Sequence, residues 1–283
     1  MKPDKPVAPP DRLERAHLAD PRDVTHTMHR YPAPEDLRDL VQWFWVPVWS
    51  VPDGQESVQQ VLQYPCALIV VTDEYARFYG VSRGLSTTTL RGDGWAVGVL
   101  LQPAAGALLS GRSMSELTDR HVELSELFGD AGAAVAERVR AEMGGGAAHD
   151  PDAHARAMDV VSDLVRGALP VDDEGLVVND LVAHVERDDR VVRVAQVAEH
   201  AGLSERSLQR LLQRRLGLTP KWLIQRRRLQ EASLRLRHRE PDQTLADLAA
   251  SLGYADQAHL VRDFRTVTGS TPAAFAARYD AVD

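Results

Sequence analysis

Cysteine occurs once in 283 residues, at Cys66, so no internal disulfide framework is available and the chain suits a reducing interior. That thiol reads as a buried structural group, with a redox sensor as the alternative. No run approaches the roughly 20 apolar residues of a membrane span, and the opening MKPDKPVAPPDRLER is polar and proline-rich rather than signal-like. These absences predict a soluble, cytoplasmic protein with no membrane partner. Histidine is missing between positions 30 and 120. A metal-dependent barrel enzyme needs several histidines and a carboxylate converging from strands. The expectation is therefore no metal, no cofactor and no enzyme, the rival reading being a barrel enzyme with a DNA-binding tail.

Charge is short of one sign only in part of the chain. The formal net charge of -8 hides 17 basic against 14 acidic residues over 175–283 and 16 against 27 over 1–174. Within 203–239 the balance is 11 basic to 2 acidic. That stretch can neutralise phosphates, whereas the acidic front cannot.

One helical motif is written twice. Ala198, Gly202 and Leu203 recur as Ala249, Gly253 and Tyr254; after a one-residue insertion, Ser204, Arg210, Leu212, Gly217, Thr219 and Pro220 recur as Asp256, Arg262, Phe264, Gly269, Thr271 and Pro272. Two copies are too few for a solenoid and suit a paired reading head for double-stranded DNA. In the first copy Gly202 permits the tight turn, Ser204 caps the next helix, and Leu208, Leu211 and Leu212 must face inward. The outward face is then Arg206, Gln209, Arg210 and Gln213, side chains that make bidentate contacts to guanine and adenine edges. In the second copy Asp256 caps a helix with Leu260 and Phe264 inward, leaving Gln257, His259 and Arg262 near the groove; His259 also fits an exposed polar position. Between the heads, Thr219 and Pro220 start a helix reaching about His238, long enough to set two readers one turn of B-DNA apart. Trp222, Leu229, Ala232 and Leu236 form its apolar face. Arg226, Arg227 and Arg228 lie on or near the other side, Arg227 being a candidate phosphate contact or part of a solvated face.

The order Gly202-Leu203-Ser204, Leu208, Arg210, Gly217-Leu218-Thr219-Pro220, Arg228-Leu229-Gln230-Glu231-Ala232, Gly253-Tyr254, Phe264 and Gly269-Ser270-Thr271-Pro272 resembles the C-terminal domain of the AraC/XylS family of transcription regulators over about 100 residues. The resemblance implies a seven-helix fold with two recognition helices in consecutive major grooves. Leu212 stands where the family commonly has an aromatic, and Ala258 and Leu260 where many members have Ser and Phe.

The front is of another kind. Short aromatic and β-branched runs between Gln42 and Gln102 (QWFWVPVW, ALIVVT, ARFYGVS, WAVGVLLQ) are separated by turn residues, as in a small barrel or sandwich. Residues 98 to 129 resemble the cupin-like sensor domains of the same family. Trp43, Trp45, Tyr64, Tyr79 and Trp95 are candidates for a ligand pocket, against the plain reading that alternate strand residues fill a core. A helix over 124–143 and another over about 152–169 carry an apolar stripe that fits either their own barrel or a second copy of the chain. The expected organisation is α+β: a flexible arm over 1–30, a β-rich cupin-like sensing and dimerising domain with a helical pair over 31–170, and an all-α domain with two helix-turn-helix motifs over 171–283. The expected function is a sequence-specific transcription regulator controlled by a small-molecule effector, forming a homodimer, with RNA polymerase as a further candidate partner. A ligand-independent dimeric regulator is the alternative.

Overall fold

The computed structural model describes residues 15–18, 20–238 and 243–280. The front half forms β1 (His26–Pro32), β2 (Val41–Val51), β3 (Ser57–Val61), β4 (Leu68–Thr72), β5 (Ala76–Tyr79), β6 (Ser86–Leu90), β7 (Gly92–Leu101) and β8 (His121–Glu123). Six of these make an antiparallel sheet in the order β1-β2-β7-β4-β5-β8, while β3 pairs with β6. Strand alternation sorts β2 into two faces. Phe44, Val46 and Val48 are buried on one side; Trp43, Trp45 and Trp49 are half-buried on the other.

Glycines in β7 explain how those indoles lie. A Cβ on Gly98 would sit 2.2 Å from the Trp45 ring and one on Gly94 2.3 Å from the Trp49 ring. Both rings therefore rest flat on the backbone of the neighbouring strand, a close approach that only glycine permits.

Four helices belong with the sheet: α1 (Ala105–Ser110), α2 (Leu124–Phe128), α3 (Asp130–Met143) and α4 (Pro151–Arg166). The single helix expected over 124–143 is broken at Gly129, whose φ of +60° redirects the chain. Val135, Val139 and Met143 of α3 join Ala157, Val161 and Val165 of α4 in one core with Phe44, Ile69, Phe78 and Val99. The apolar stripe of the helix pair is thus spent on its own sheet.

The flexible arm expected over 1–30 falls partly outside the described residues, and the described part has structure. Leu18 N donates to Gln60 O at 2.7 Å and Leu62 N to Ala16 O at 2.7 Å, so the arm pairs beside β3. Asp23 accepts hydrogen bonds from Ser57 (2.5 Å), Thr25 (2.6 Å) and Gln59 (2.7 Å). Ala16 and Leu18 are buried, and backbone pairing and the half-buried Asp23 carboxylate hold the rest of the segment.

The C-terminal half is helical: α5 (Asp173–Arg187), α6 (Val194–His200), α7 (Glu205–Leu216), α8 (Pro220–Arg237), α9 (Leu245–Ser251), α10 (Gln257–Thr268) and α11 (Pro272–Asp280). Two cores organise it. Val178, Leu181 and Val185 of α5 meet Val197, Leu208, Leu212 and Leu223, and Val81 and Ala104 of the front half complete this cluster. Leu229, Leu236, Leu248, Leu260, Phe264 and Phe275 form the other, completed by Leu18 and Leu62. The front half is therefore docked on both.

Candidate nucleic-acid interface

Each head is built by the same local rules. In the first, α6 buries Val197 and Ala198, Gly202 turns the chain at φ +63°, and the Ser204 hydroxyl caps α7 by accepting from Ser207 N at 3.2 Å. Leu208, Leu211, Leu212 and Leu216 are buried, which leaves Arg206, Gln209, Arg210 and Gln213 exposed. In the second, Thr244 and Asp247 form a capping box on α9, Gly253 turns at φ +73°, and the Asp256 carboxylate accepts from His259 N at 2.7 Å. Leu260, Phe264 and Thr268 face inward; Gln257 and Arg262 are exposed. His259 is half-buried, edge-on to Tyr254 at 5.1 Å and 3.7 Å from the Asp263 carboxylate.

Ion pairing decides which arginines remain available. Arg214 and Arg215 of α7 reach back to the first turn of α5, where Arg215 lies 2.7 Å from Glu174 and also bonds Asp172, and Arg214 bonds Glu174. The Arg215 hydrogen bond to Asp172 and that of Arg214 to Glu174 hold both carboxyls below the ordinary range. Arg206, Arg210 and Arg262 have no carboxylate partner among the described residues.

The strut α8 departs from expectation. It was expected to have a solvated side; of its 18 residues only Lys221 is exposed. Arg226 is 2% exposed and donates to the carbonyls of Arg83 (2.7 Å) and Gly84 (3.0 Å), with its guanidinium 4.6 Å over the Trp222 ring. Burial pushes its pKa down to about 10. Arg227 is also buried and donates to Asp189 O and Val191 O at 3.1 and 3.2 Å. It faces inward. Gln230 donates to Leu62 O at 2.7 Å. Arg226 and Gln230 are interdomain fasteners, while Arg227 ties α8 to the segment after α5 within the C-terminal half; reading α8 as a half-solvated rod gives none of these contacts.

A helix-turn-helix domain model matches residues 197–278, and a model described as a domain of unknown function (DUF6597) matches 29–123. The probable transcription factor PqrA of Proteus vulgaris is 31% identical over 102 residues, covering 35% of this chain and 82% of PqrA. The chain belongs to the AraC family of transcription regulators. Among solved structures, an AraC-type regulator from Chromobacterium violaceum is 21% identical with a TM-score of 0.34, covering 38% of this chain and 96% of its own. ToxT from Vibrio cholerae O395 is 11% identical with a TM-score of 0.39, covering 91% and 98%. AraC-family membership makes this a DNA-binding transcription regulator, with the helical C-terminal half as its reading domain.

The aromatic candidates divide between two faces. Trp43, Trp45 and Tyr79 pack half-buried around buried Tyr64, Cys66, Leu68 and Leu100. Trp95 lies in the other core, beneath the helices. Burial pushes the Cys66 thiol well above its usual pKa. Among the described residues no His, Cys, Asp and Glu cluster gathers to hold a metal, and no helix is long and apolar enough to cross a membrane.

Proposed function

We propose that this AraC-family regulator reads two consecutive major grooves, one with each head. Arg206, Gln209, Arg210 and Gln213 face the first groove, and Gln257, His259 and Arg262 the second; Arg227 takes no part. The observation that carries this reading is the equivalence of Arg210 and Arg262, which hold the same place in the repeat, are exposed, and hold no carboxylate among the described residues. The 18-residue strut spans about 27 Å, of the same order as the ~34 Å between successive groove faces. Arg210→Ala or Arg262→Ala should cost about 1–3 kcal/mol of operator affinity and relax specificity at the bases that head reads. Mobility shifts on a selected operator check this; wild-type affinity in either variant removes that arginine from base reading.

We also propose that a small molecule with apolar surface controls the regulator from the sheet face carrying Trp43, Trp45, Tyr64 and Tyr79. Support comes from the half-open indoles beside a buried tyrosine; Trp95 is left out because it packs under the helices. Calorimetry against metabolite pools must find a ligand that changes DNA affinity, since control requires coupling between the two sites. Homodimerisation, in this proposal, uses a surface other than the apolar stripe of α3 and α4, which the sheet covers. Sedimentation of the full chain over a concentration series tests it.

A further inference from the structure

We infer that the acidic front domain itself contacts DNA, through Arg112 and Arg120, on the phosphates bordering the groove that the first head enters. This rests on the reading of α7 as a recognition helix. A cleft of about 890 Å³ opens where the front segment 112–126 meets the C-terminal end of α7. Gln213, an outward side chain near the C-terminal end of α7, lines one side with Gly217; Arg83, Arg112 and Arg120 line the other. The Thr118 hydroxyl lies 3.2 Å from the Gly217 carbonyl and ties the two sides together.

Most arginines of the front domain are committed; Arg138 on α3 is exposed with no carboxylate partner among the described residues, but it does not line this cleft. Arg38, Arg77, Arg83, Arg91, Arg156 and Arg166 each hold a carboxylate. Arg112 and Arg120 are exposed and hold none among the described residues, and both lie in the cleft that continues the outward face of α7. Phosphates run along both edges of the major groove. A basic side chain flanking an inserted helix therefore meets backbone rather than base edges, and it supplies affinity and register without sequence preference. The surplus of acid over 1–174 conceals this because charge acts locally: beyond about 8–10 Å, salt screens the remaining carboxylates. Three acids share the cleft: Asp119 pairs with Arg83, while Glu116 and Glu126 have no ion-pair partner among the described residues. They face the same phosphates and act in the opposite sense, so the contact makes a prediction of each sign.

The test is fluorescence anisotropy of the full chain on a mixed-sequence duplex across a salt series. The double variant Arg112→Ala with Arg120→Ala should bind about thirtyfold more weakly near physiological salt, with the slope of log affinity against log salt reduced by about 1.8. Glu116→Gln with Glu126→Gln should bind more tightly than wild type. Arg206→Ala with Arg210→Ala probes the head alone. If this head variant weakens binding while the arginine pair of the front leaves both affinity and slope unchanged, the front contact is rejected and the reading of the heads stands. A weakened front variant whose slope stays at the wild-type value also rejects it, because a lost phosphate contact must change the slope. Wild-type protein that binds no duplex rejects both readings.

Discussion

Gly217 and Gly269 are one residue written twice, and substituting each isolates what the front domain adds. They follow the two recognition helices with φ of +72° and +74°. Alanine in that left-handed conformation costs about 1–2 kcal/mol at either site. The surroundings differ. A Cβ on Gly269 meets nothing within 4 Å, whereas one on Gly217 would lie 2.0 Å from Thr118 Oγ1 and 2.7 Å from the Met114 carbonyl oxygen. The threonine can rotate at the loss of its hydrogen bond to Gly217 O, but the Met114 oxygen is backbone and yields only if the front segment withdraws. Overpacking of this kind adds about 1–3 kcal/mol. Gly269→Ala should therefore lose about 1–2 kcal/mol and Gly217→Ala about 2–5 kcal/mol. Urea unfolding followed by tryptophan fluorescence measures both, and limited proteolysis within 111–120 reports whether the segment has come away. Equal losses with unchanged cleavage would refute the idea that Gly217 marks a tight seam between the halves.

Arg227→Ala should remove the bonds to Asp189 O and Val191 O, lower stability by about 1.5–3 kcal/mol, and leave the salt slope of DNA affinity alone; a changed slope at full stability would return Arg227 to the phosphates. Burial raises the pKa of Asp23, but hydrogen bonds from Ser57, Thr25 and Gln59 outweigh it and hold the carboxyl well below its usual range. A depressed carboxyl stabilises the fold above its unfolded pKa and ceases to do so as pH falls through the folded value. Protection factors for amide exchange in β3 should therefore fall on acidification below about pH 4, and Asp23→Asn should show that lower protection already at neutral pH; protection in the variant equal to wild type would dismiss the carboxylate as the anchor. Gly98→Ala places a Cβ 2.2 Å from the Trp45 ring and should lift that indole, shifting its emission and destabilising by about 1–3 kcal/mol. An unshifted spectrum would mean the ring does not lie on β7.

The reading heads were legible because their signals are local. A cap at Ser204 or Asp256, a left-handed glycine at 202 or 253 and leucines at helical spacing fix inward and outward faces without any distant partner. Gly129 was a local signal too, masked because the four-residue spacing of Leu127, Ala131 and Val135 runs straight through it. The pairing of the arm has no local signal, because its partners Gln59, Gln60 and Leu62 lie far along the chain. The arginines of α8 held a usable clue. Consecutive residues advance 100° around a helix, so Arg226, Arg227 and Arg228 span 200° and cannot share one solvated side while Leu223 and Leu229 are buried. What they would bond, carbonyls at Arg83 and Gly84, was out of reach of any local rule. The split of Trp95 from Trp43 and Trp45 depends on strand register, which composition does not carry.

Val81 and Ala104 close one head, and Leu18 and Leu62 close the other. Grafting a foreign sensing half onto this reader would have to match two separated seams at once, and matching one alone would leave hydrocarbon wet at the other. Such a molecule diverges most readily as a whole, with loops and surface changing while the halves stay matched.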